Sequence, residues 1–429
     1  MSAKDWQTVF FDLDGTLTRS EEGITRCARY AAEKMGYPGW TEERLRVFIG
    51  PPLYVSFRDV IGMTDGEAVR ACEVYRERYT AIGWKENCVY AGIPRLLRSL
   101  HKHGFRAAVT TGKPQRASER ICRYFGLTPW LDGIYGTEED CKIADKTEII
   151  AEAARAVGGK IVVVGDRRFD VEAALANGMD AVGVSYGYGT EEELKEAGAG
   201  WIAEDVRGLQ SILLGDREPA RGVFISMEGM DGCGKTTQRS ALVERLEAQG
   251  WEVSVTREPG GDGIAEKIRG IILDPANTEM CDETEAYLYA ASRAQNVRTR
   301  ILPALADGRL VVCDRYVDSS IAYQGGGREL GAERIAALNA MATGGLLPDL
   351  TVYLEMPAQA AVARRLNAGE PDRLEREKDA FWQRTAKAYD ALFAADARVV
   401  RVRADQSIEE VSAEMLRMLD ERLPGIPVR

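Results

Sequence analysis

Short apolar runs separated by stretches of helical periodicity recur along the whole chain. In the first half they are Thr8 to Phe11, Ala107 to Val109, Ile161 to Val164 and Ala181 to Val184. In the second half they are Val223 to Met227, Trp251 to Thr256, Leu310 to Cys313, Leu350 to Leu354 and Val399 to Val402. Apolarity that is continuous rather than alternating marks strands covered on both faces, as in parallel sheets wound with helices. The pattern predicts an α/β protein with two doubly wound parallel-sheet domains. Between the first strand and Gly92 the period changes: Ile24, Cys27, Ala28, Ala31 and Met35 share one helical face. A helical cap inserted over about residues 18–90 is expected there. The charged, aperiodic stretch Leu214 to Arg221 contains Gly215 and Pro219 and marks a boundary. The expected organisation is a first domain over 1–214, a linker over 215–221 and a second domain over 222–429.

A length of 429 residues lets each of two domains bury its own core. The formal net charge of -11 gives no footprint for a nucleic acid polymer, so any such connection should run through nucleotides. No targeting segment and no apolar run of membrane-spanning length is read, and a cytoplasmic protein is expected. The eight cysteines form no C-x-x-C pair, which fits reduced thiols. His101 and His103 are the only histidines and fall at a predicted helix end, where solvated side chains are expected rather than a metal pair. Chemistry must then rest on carboxylates, lysine, arginine and magnesium.

The first strand runs into Phe11-Asp12-Leu13-Asp14-Gly15-Thr16. Carboxylates two apart at a strand end leave the same face and can share a magnesium ion, with one free to attack and the other to handle protons. Further along lie Val109-Thr110-Thr111-Gly112-Lys113-Pro114, Asp145-Lys146-Thr147-Glu148 and Val164-Gly165-Asp166-Arg167-Arg168-Phe169-Asp170. In this order the motifs resemble the haloacid dehalogenase superfamily, in its phosphoglycolate phosphatase and 5'-nucleotidase-like branch, over about residues 8–212. The resemblance implies a magnesium-dependent phosphatase acting on a phosphomonoester, a nucleoside monophosphate among the candidates. Asp12 would be the nucleophile and Asp14 the general acid and base, with Thr111 and Lys146 on the phosphoryl oxygens. The metal would be held by Asp12, Asp166 and the backbone carbonyl of Asp14, with Asp170 behind them. Gly50-Pro51-Pro52-Leu53 in the cap resembles a substrate loop of that branch.

The second domain opens with Gly229-Met230-Asp231-Gly232-Cys233-Gly234-Lys235-Thr236, between a strand and a helix. Its glycines let consecutive N–H groups converge on phosphates, Lys235 brings a mobile charge and Thr236 a hydroxyl for magnesium. Downstream come Thr256 to Gly261, Ala290 to Gln295 and Asp314 to Arg328. Together these resemble thymidylate kinase over residues 222 to about 420. That implies ATP as donor, bound by the loop through Thr237, and dTMP as acceptor, with a homodimer formed through this domain. Asp231 would lie near the acceptor and Arg315 would bridge both phosphates. Glu258 would join the acceptor and magnesium network, Tyr289 would stack on the base, and Arg293 and Gln324 would meet the thymine, with Ser320 beside them. No Arg or Lys stands between Asp231 and Lys235, so a lid over Ala363 to Glu375 is expected to supply the charge, through Arg364, Arg365 or the better aligned Arg373.

Two competing readings remain at this point. One makes the first domain a regulatory or structural module without catalysis; the other gives the kinase a different pyrimidine monophosphate.

Overall fold

The structure is a computed structural model that describes residues 5–137, 145–366, 373–374 and 376–427. It divides into two compact units, one formed chiefly by Met1–Ala220 and the other by Arg221–Glu247 with Glu252–Pro427.

The main sheet of the first unit has six strands among the described residues: β1 (Thr8–Phe11), β2 (Arg106–Pro114), β3 (Gly133–Thr137), β4 (Ile161–Gly165), β5 (Asp180–Val184) and β6 (Trp201–Ala203). They lie in the order β3-β2-β1-β4-β5-β6, every neighbour parallel. Thr8 of β1 pairs with Arg106 on one side and Ile161 on the other, so the most buried strand sits where the winding reverses. Ligands of open α/β sheets bind outside the carboxyl ends of strands at that point. Apolar clusters cover both faces: Val9, Phe11, Val109 and Val164 on one, Phe10, Ala108, Ile150 and Val163 on the other. Strand β3 carries no continuous apolar run, and β6 is only the short run Trp201-Ile202-Ala203. They are sheet edges, one half-buried and interrupted by glycine, the other three residues long, and edges need less cover.

Between β1 and β2 the chain forms the helical cap. Its long helices are α1 (Glu21–Lys34) and α2 (Asp65–Ala81), which share a separate core of Ile24, Cys27, Ala28, Ala31, Phe48, Phe57 and Ala68. Thr64 caps α2 through a reciprocal box with Glu67. A two-stranded ribbon of Thr18–Arg19 with Cys88–Val89 closes the insertion at its base.

The second unit has five parallel strands: β7 (Phe224–Glu228), β8 (Val253–Arg257), β9 (Leu310–Asp314), β10 (Leu350–Glu355) and β11 (Val399–Arg403), ordered β8-β9-β7-β10-β11. Again the first strand of the unit lies inside the sheet and delivers its following loop to the switch point. Among the described residues no helix is long and apolar enough to cross a membrane. Every described cysteine is a free thiol.

Candidate active sites

At the carboxyl ends of β1 and β4, one oxygen from each of Asp12, Asp166 and Asp170 lies within 4.8 Å of the others. Asp12 follows β1 directly. Asp166 follows β4, and Asp170 stands in the first turn of α4 (Arg168–Ala176), where its carboxylate also accepts the Arg167 N–H at 3.1 Å. Capping the helix fixes Asp170 in the site. Lys146, the first residue of α3 (Lys146–Val157), donates from Nζ to Asp12 Oδ1 at 2.6 Å and also pairs with Asp170. Asp145 starts that helix by accepting the Thr147 N–H at 2.9 Å. Gly15 is required here: its φ is +89°, and a Cβ would stand 2.1 Å from Asp166 Oδ2.

Burial pushes the Asp12 carboxyl up to about 6, with Asp170 and Asp14 adding to the rise and Lys146 opposing it. Burial, then Asp12 and Asp170, drive Asp166 upward as well. Three buried carboxylates facing one ammonium leave uncompensated negative charge. Asp166 accepts the Tyr188 N–H at 2.8 Å through Oδ2, while its buried Oδ1 has no hydrogen-bond partner among the described residues. An all-oxygen set with an orphaned carboxylate oxygen suits a hard divalent cation such as magnesium.

The placement departs from expectation in one respect. Asp170, expected behind the ligands, lies within the carboxylate cluster, because a residue four beyond Asp166 on a helix turns back toward the strand end. Asp14 turns the other way, 2.8 Å from Lys113 Nζ. Thr111 is buried within β2 and accepts the Lys113 N–H at 3.3 Å. Lys113 lies near the end of β2, where a lone lysine gives no signal in sequence of its partner.

In the second unit the glycine loop joins β7 to α5 (Lys235–Ala248). Gly229, Gly232 and Gly234 all have positive φ. At Gly232 a Cβ would lie 2.2 Å from the Ala361 carbonyl of α8 (Ala358–Leu366), so that helix can pack on the loop only over glycine. Lys235 Nζ folds onto the loop, donating to the carbonyls of Gly229 at 3.0 Å and Met230 at 2.9 Å. Thr236 and Thr237 are exposed at the helix start.

Beside the loop, Arg315 Nη2 donates to Asp231 at 2.6 Å and to Tyr323 Oη at 3.1 Å, and its Nη1 to Ser319 at 3.0 Å. Arg315 adopts φ +67°, a conformation costing about 1–3 kcal/mol that tends to persist where surroundings impose it. Burial alone would raise Asp231, but Arg315 and Lys235 outweigh it and hold the carboxyl well below its usual range.

A cleft of about 530 Å³, partly open to solvent, adjoins this pair. Asp231, Glu258, Tyr289, Arg293, Arg315, Ser320 and Gln324 all line it. Glu258 and Arg293 are both buried and meet at 2.5 Å. Arg293 also donates to Ser320 at 3.0 Å, to Asn339, and to the Tyr316 carbonyl at 3.0 Å. Among the described residues most of its N–H groups are thus spent on protein, leaving one on Nη2.

Arg373, expected over the donor phosphates, instead reaches Glu285 at 2.5 Å and the Ile272 carbonyl at 2.8 Å. Arg364 donates to the Ala404 carbonyl at 3.1 Å. Most of the expected lid, 367–372 and Glu375, lies outside the described residues. Sequence reasoning missed Arg269 in the cleft wall, buried Glu285, and buried Glu228, which accepts from Tyr316 N–H, Ser319 and Tyr389. A charged residue after an apolar strand could have flagged Glu228; nothing local flags the others.

Comparison with known proteins divides along the same line. A family model for thymidylate kinase matches residues 227–415. The thymidylate kinase of Lactobacillus delbrueckii subsp. bulgaricus is 49% identical over 210 residues, covering 48% of this chain and 99% of that protein. The chain belongs to the thymidylate kinase family. That of Latilactobacillus sakei is 48% identical over 202 residues, covering 46% of this chain and 94% of its own. Residues 9–184 match the model for haloacid dehalogenase-like hydrolases. A predicted phosphatase of known structure from Clostridium acetobutylicum is 39% identical, covering 49% of this chain and 99% of its own, with a TM-score of 0.47. The protein is a thymidylate kinase fused to a domain that matches the haloacid dehalogenase-like hydrolases.

Proposed function

We propose that the two sites act on phosphate in opposite directions, the second transferring the γ-phosphoryl of ATP to dTMP and the first hydrolysing a phosphomonoester. The kinase reading is carried by the cleft, since residues far apart in sequence converge on one space beside the glycine loop. In it the loop N–H groups, Lys235 and Thr236 hold the donor phosphates, and Asp231 and Arg315 place the acceptor phosphate. Tyr289 offers its ring to the base. Transfer of this kind is mostly positioning, which the prepaired Asp231 and Arg315 provide without rearrangement at the moment of reaction.

For the phosphatase, the supporting observation is Lys146 held between Asp12 and Asp170 beside the orphaned oxygen of Asp166. Asp12 attacks phosphorus, the bond to the leaving oxygen breaks, and Asp14 protonates that oxygen; Asp14 then takes a proton from water as the aspartyl phosphate is cleaved. Thr111 and Lys146 hold the phosphoryl oxygens. Asp12, Asp166 and Asp170 would hold magnesium, which when bound offsets the repulsion between carboxylate and phosphate. A nucleoside monophosphate is the substrate class that would link the two activities. Exposed Ile264 and Ile271 on α6 (Gly263–Leu273) and Tyr287 on α7 (Asp282–Asn296) support a homodimer through the kinase unit. A cytoplasmic location accords with the free thiols and the nucleotide substrates.

The test is magnesium-dependent phosphate release from nucleotides and small phosphoesters by Lys235→Ala protein, with Asp12→Asn as control. Release from dTMP or a related monophosphate, abolished in the control, is expected. Release from none of them would favour a regulatory module.

A further inference from the structure

Gln324 is 1% exposed and lines the acceptor cleft, yet its Oε1 has no hydrogen-bond partner among the described residues. A buried amide carbonyl left unsatisfied is costly and uncommon, and beside a cleft it points to a ligand that donates. The other end of the amide is occupied. Gln324 Nε2 donates to Glu285 Oε1 at 2.9 Å. Glu285 is completely buried on α7, and its second oxygen takes Arg328 Nη2 at 2.9 Å and Arg373 Nη2 at 2.5 Å. Both arginines donate to this carboxylate, which serves Gln324 as an acceptor as well. An amide has two faces of opposite character, and against an acceptor only its NH2 end fits. The orientation of Gln324 therefore follows from chemistry.

We propose that Glu285 is a positioning residue that sets the base preference of the kinase, by fixing the Gln324 amide so that its carbonyl, never its NH2, faces the base. Resting on the reading of the cleft as the dTMP site, this explains selection by class. A 2,4-dioxopyrimidine carries an N3–H that satisfies Gln324 Oε1. A 4-aminopyrimidine offers a lone pair at N3, so two acceptors face each other and neither can turn away. Sites built around a buried hydrogen bond reject the wrong partner far more strongly than apolar pockets do. Arg373, which lies within the expected lid, is part of the anchor, so the same carboxylate joins that residue to the group that faces the base.

The test compares kcat/KM for dTMP, dUMP and dCMP in the full chain and in Glu285→Gln, whose neutral amide can present either end to Gln324. The wild type is expected to prefer dTMP over dCMP by about 10³-fold or more. In Glu285→Gln that ratio should fall by at least about 10-fold, while the dTMP to dUMP ratio, which involves no change at N3, stays within about 2-fold and KM for ATP is unchanged. Gln324→Met in an otherwise native chain should collapse the dTMP to dCMP ratio likewise, and in the double variant the Glu285 effect on the ratio should vanish. A Glu285→Gln protein that loses all three nucleotides equally has suffered structural damage only, and that result overturns the proposal. So does a Gln324→Met protein with the native ratio, which also decides the matter if Glu285→Gln folds poorly. A wild-type chain that phosphorylates no dTMP would instead remove the reading of the cleft itself.

Discussion

Asp12 and Asp231 are the same residue type, each placed just after a central parallel strand and each bound to a cation at 2.6 Å. Their acidities move in opposite directions. Asp12 is pushed up to about 6 by burial, with Asp170 and Asp14 adding to it against Lys146. Asp231 is drawn below the usual carboxylate range because Arg315 and Lys235 together outweigh its burial. The difference is the local balance of charges: around Asp12 burial and neighbouring acids outweigh Lys146, whereas around Asp231 the two cations Arg315 and Lys235 outweigh burial. The first arrangement suits a divalent cation beside the carboxylate proposed as nucleophile. The second is already neutralised and prepares a binding surface, which suits transfer between two substrates that bring their own charge.

The sharpest way to break this comparison is Lys146→Met, which removes the cation that pairs with both Asp12 and Asp170. Phosphatase activity should fall by about 10²–10³-fold, in the range found when a stabilising donor is lost. Thermal stability of the first unit should fall too, since stripping one partner from a buried ion pair costs roughly 3–5 kcal/mol. Kinase activity should be unaffected. Retained phosphate release from Lys146→Met would show that the cluster is not the reacting centre.

Asp318 offers an intermediate test inside the kinase unit. It is buried, takes a hydrogen bond from Thr351 at 3.4 Å, and has its cation, Arg398, only at 3.9 Å. Burial, with Glu228 adding and Arg398 opposing, pushes it up to about 7. The folded state thus retains a proton that the unfolded chain releases near the ordinary carboxylate value of 3.8. The associated stability is complete below that value and is lost as pH rises through 7, amounting to roughly 2–4 kcal/mol. Asp318→Asn should flatten the fall in urea-unfolding stability between pH 4 and 8. An unchanged slope would mean that distance from a cation is not what separates Asp318 from Asp231.

The smallest expected effect is metal linkage. Magnesium at about 100 times its dissociation constant should stabilise the native chain by about 2.7 kcal/mol, seen as a rise in the first thermal transition. Asp166→Asn should abolish most of that rise while leaving stabilisation by ATP at the other site intact. Equal magnesium shifts in both proteins would place the ion elsewhere.

Much of this molecule was readable in one dimension because its decisive signals are local. Buried parallel strands announce themselves as uninterrupted apolar runs, and the central ones, Thr8 to Phe11 and Phe224 to Glu228, have nearly the expected bounds. The edge strands β3 and β6 are weaker signals, since one is interrupted by glycine and the other is three residues long. Phosphate loops are legible for a related reason: Gly229, Gly232 and Gly234 are required by backbone conformation, which belongs to the segment itself.

Sequence by itself therefore determined two wound domains, their motifs and the chemistry those motifs permit. Tertiary structure alone decided which side chain faces which. It put Asp170 into the carboxylate cluster, turned Asp14 to Lys113, and sent Arg373 to Glu285 rather than to the donor phosphates. It also gave Asp12 and Asp231 opposite acidities. The physical reason is range: backbone preferences and strand burial act over a few residues, whereas an ionisable group answers to every charge and every desolvating neighbour within several ångströms, whatever its distance along the chain.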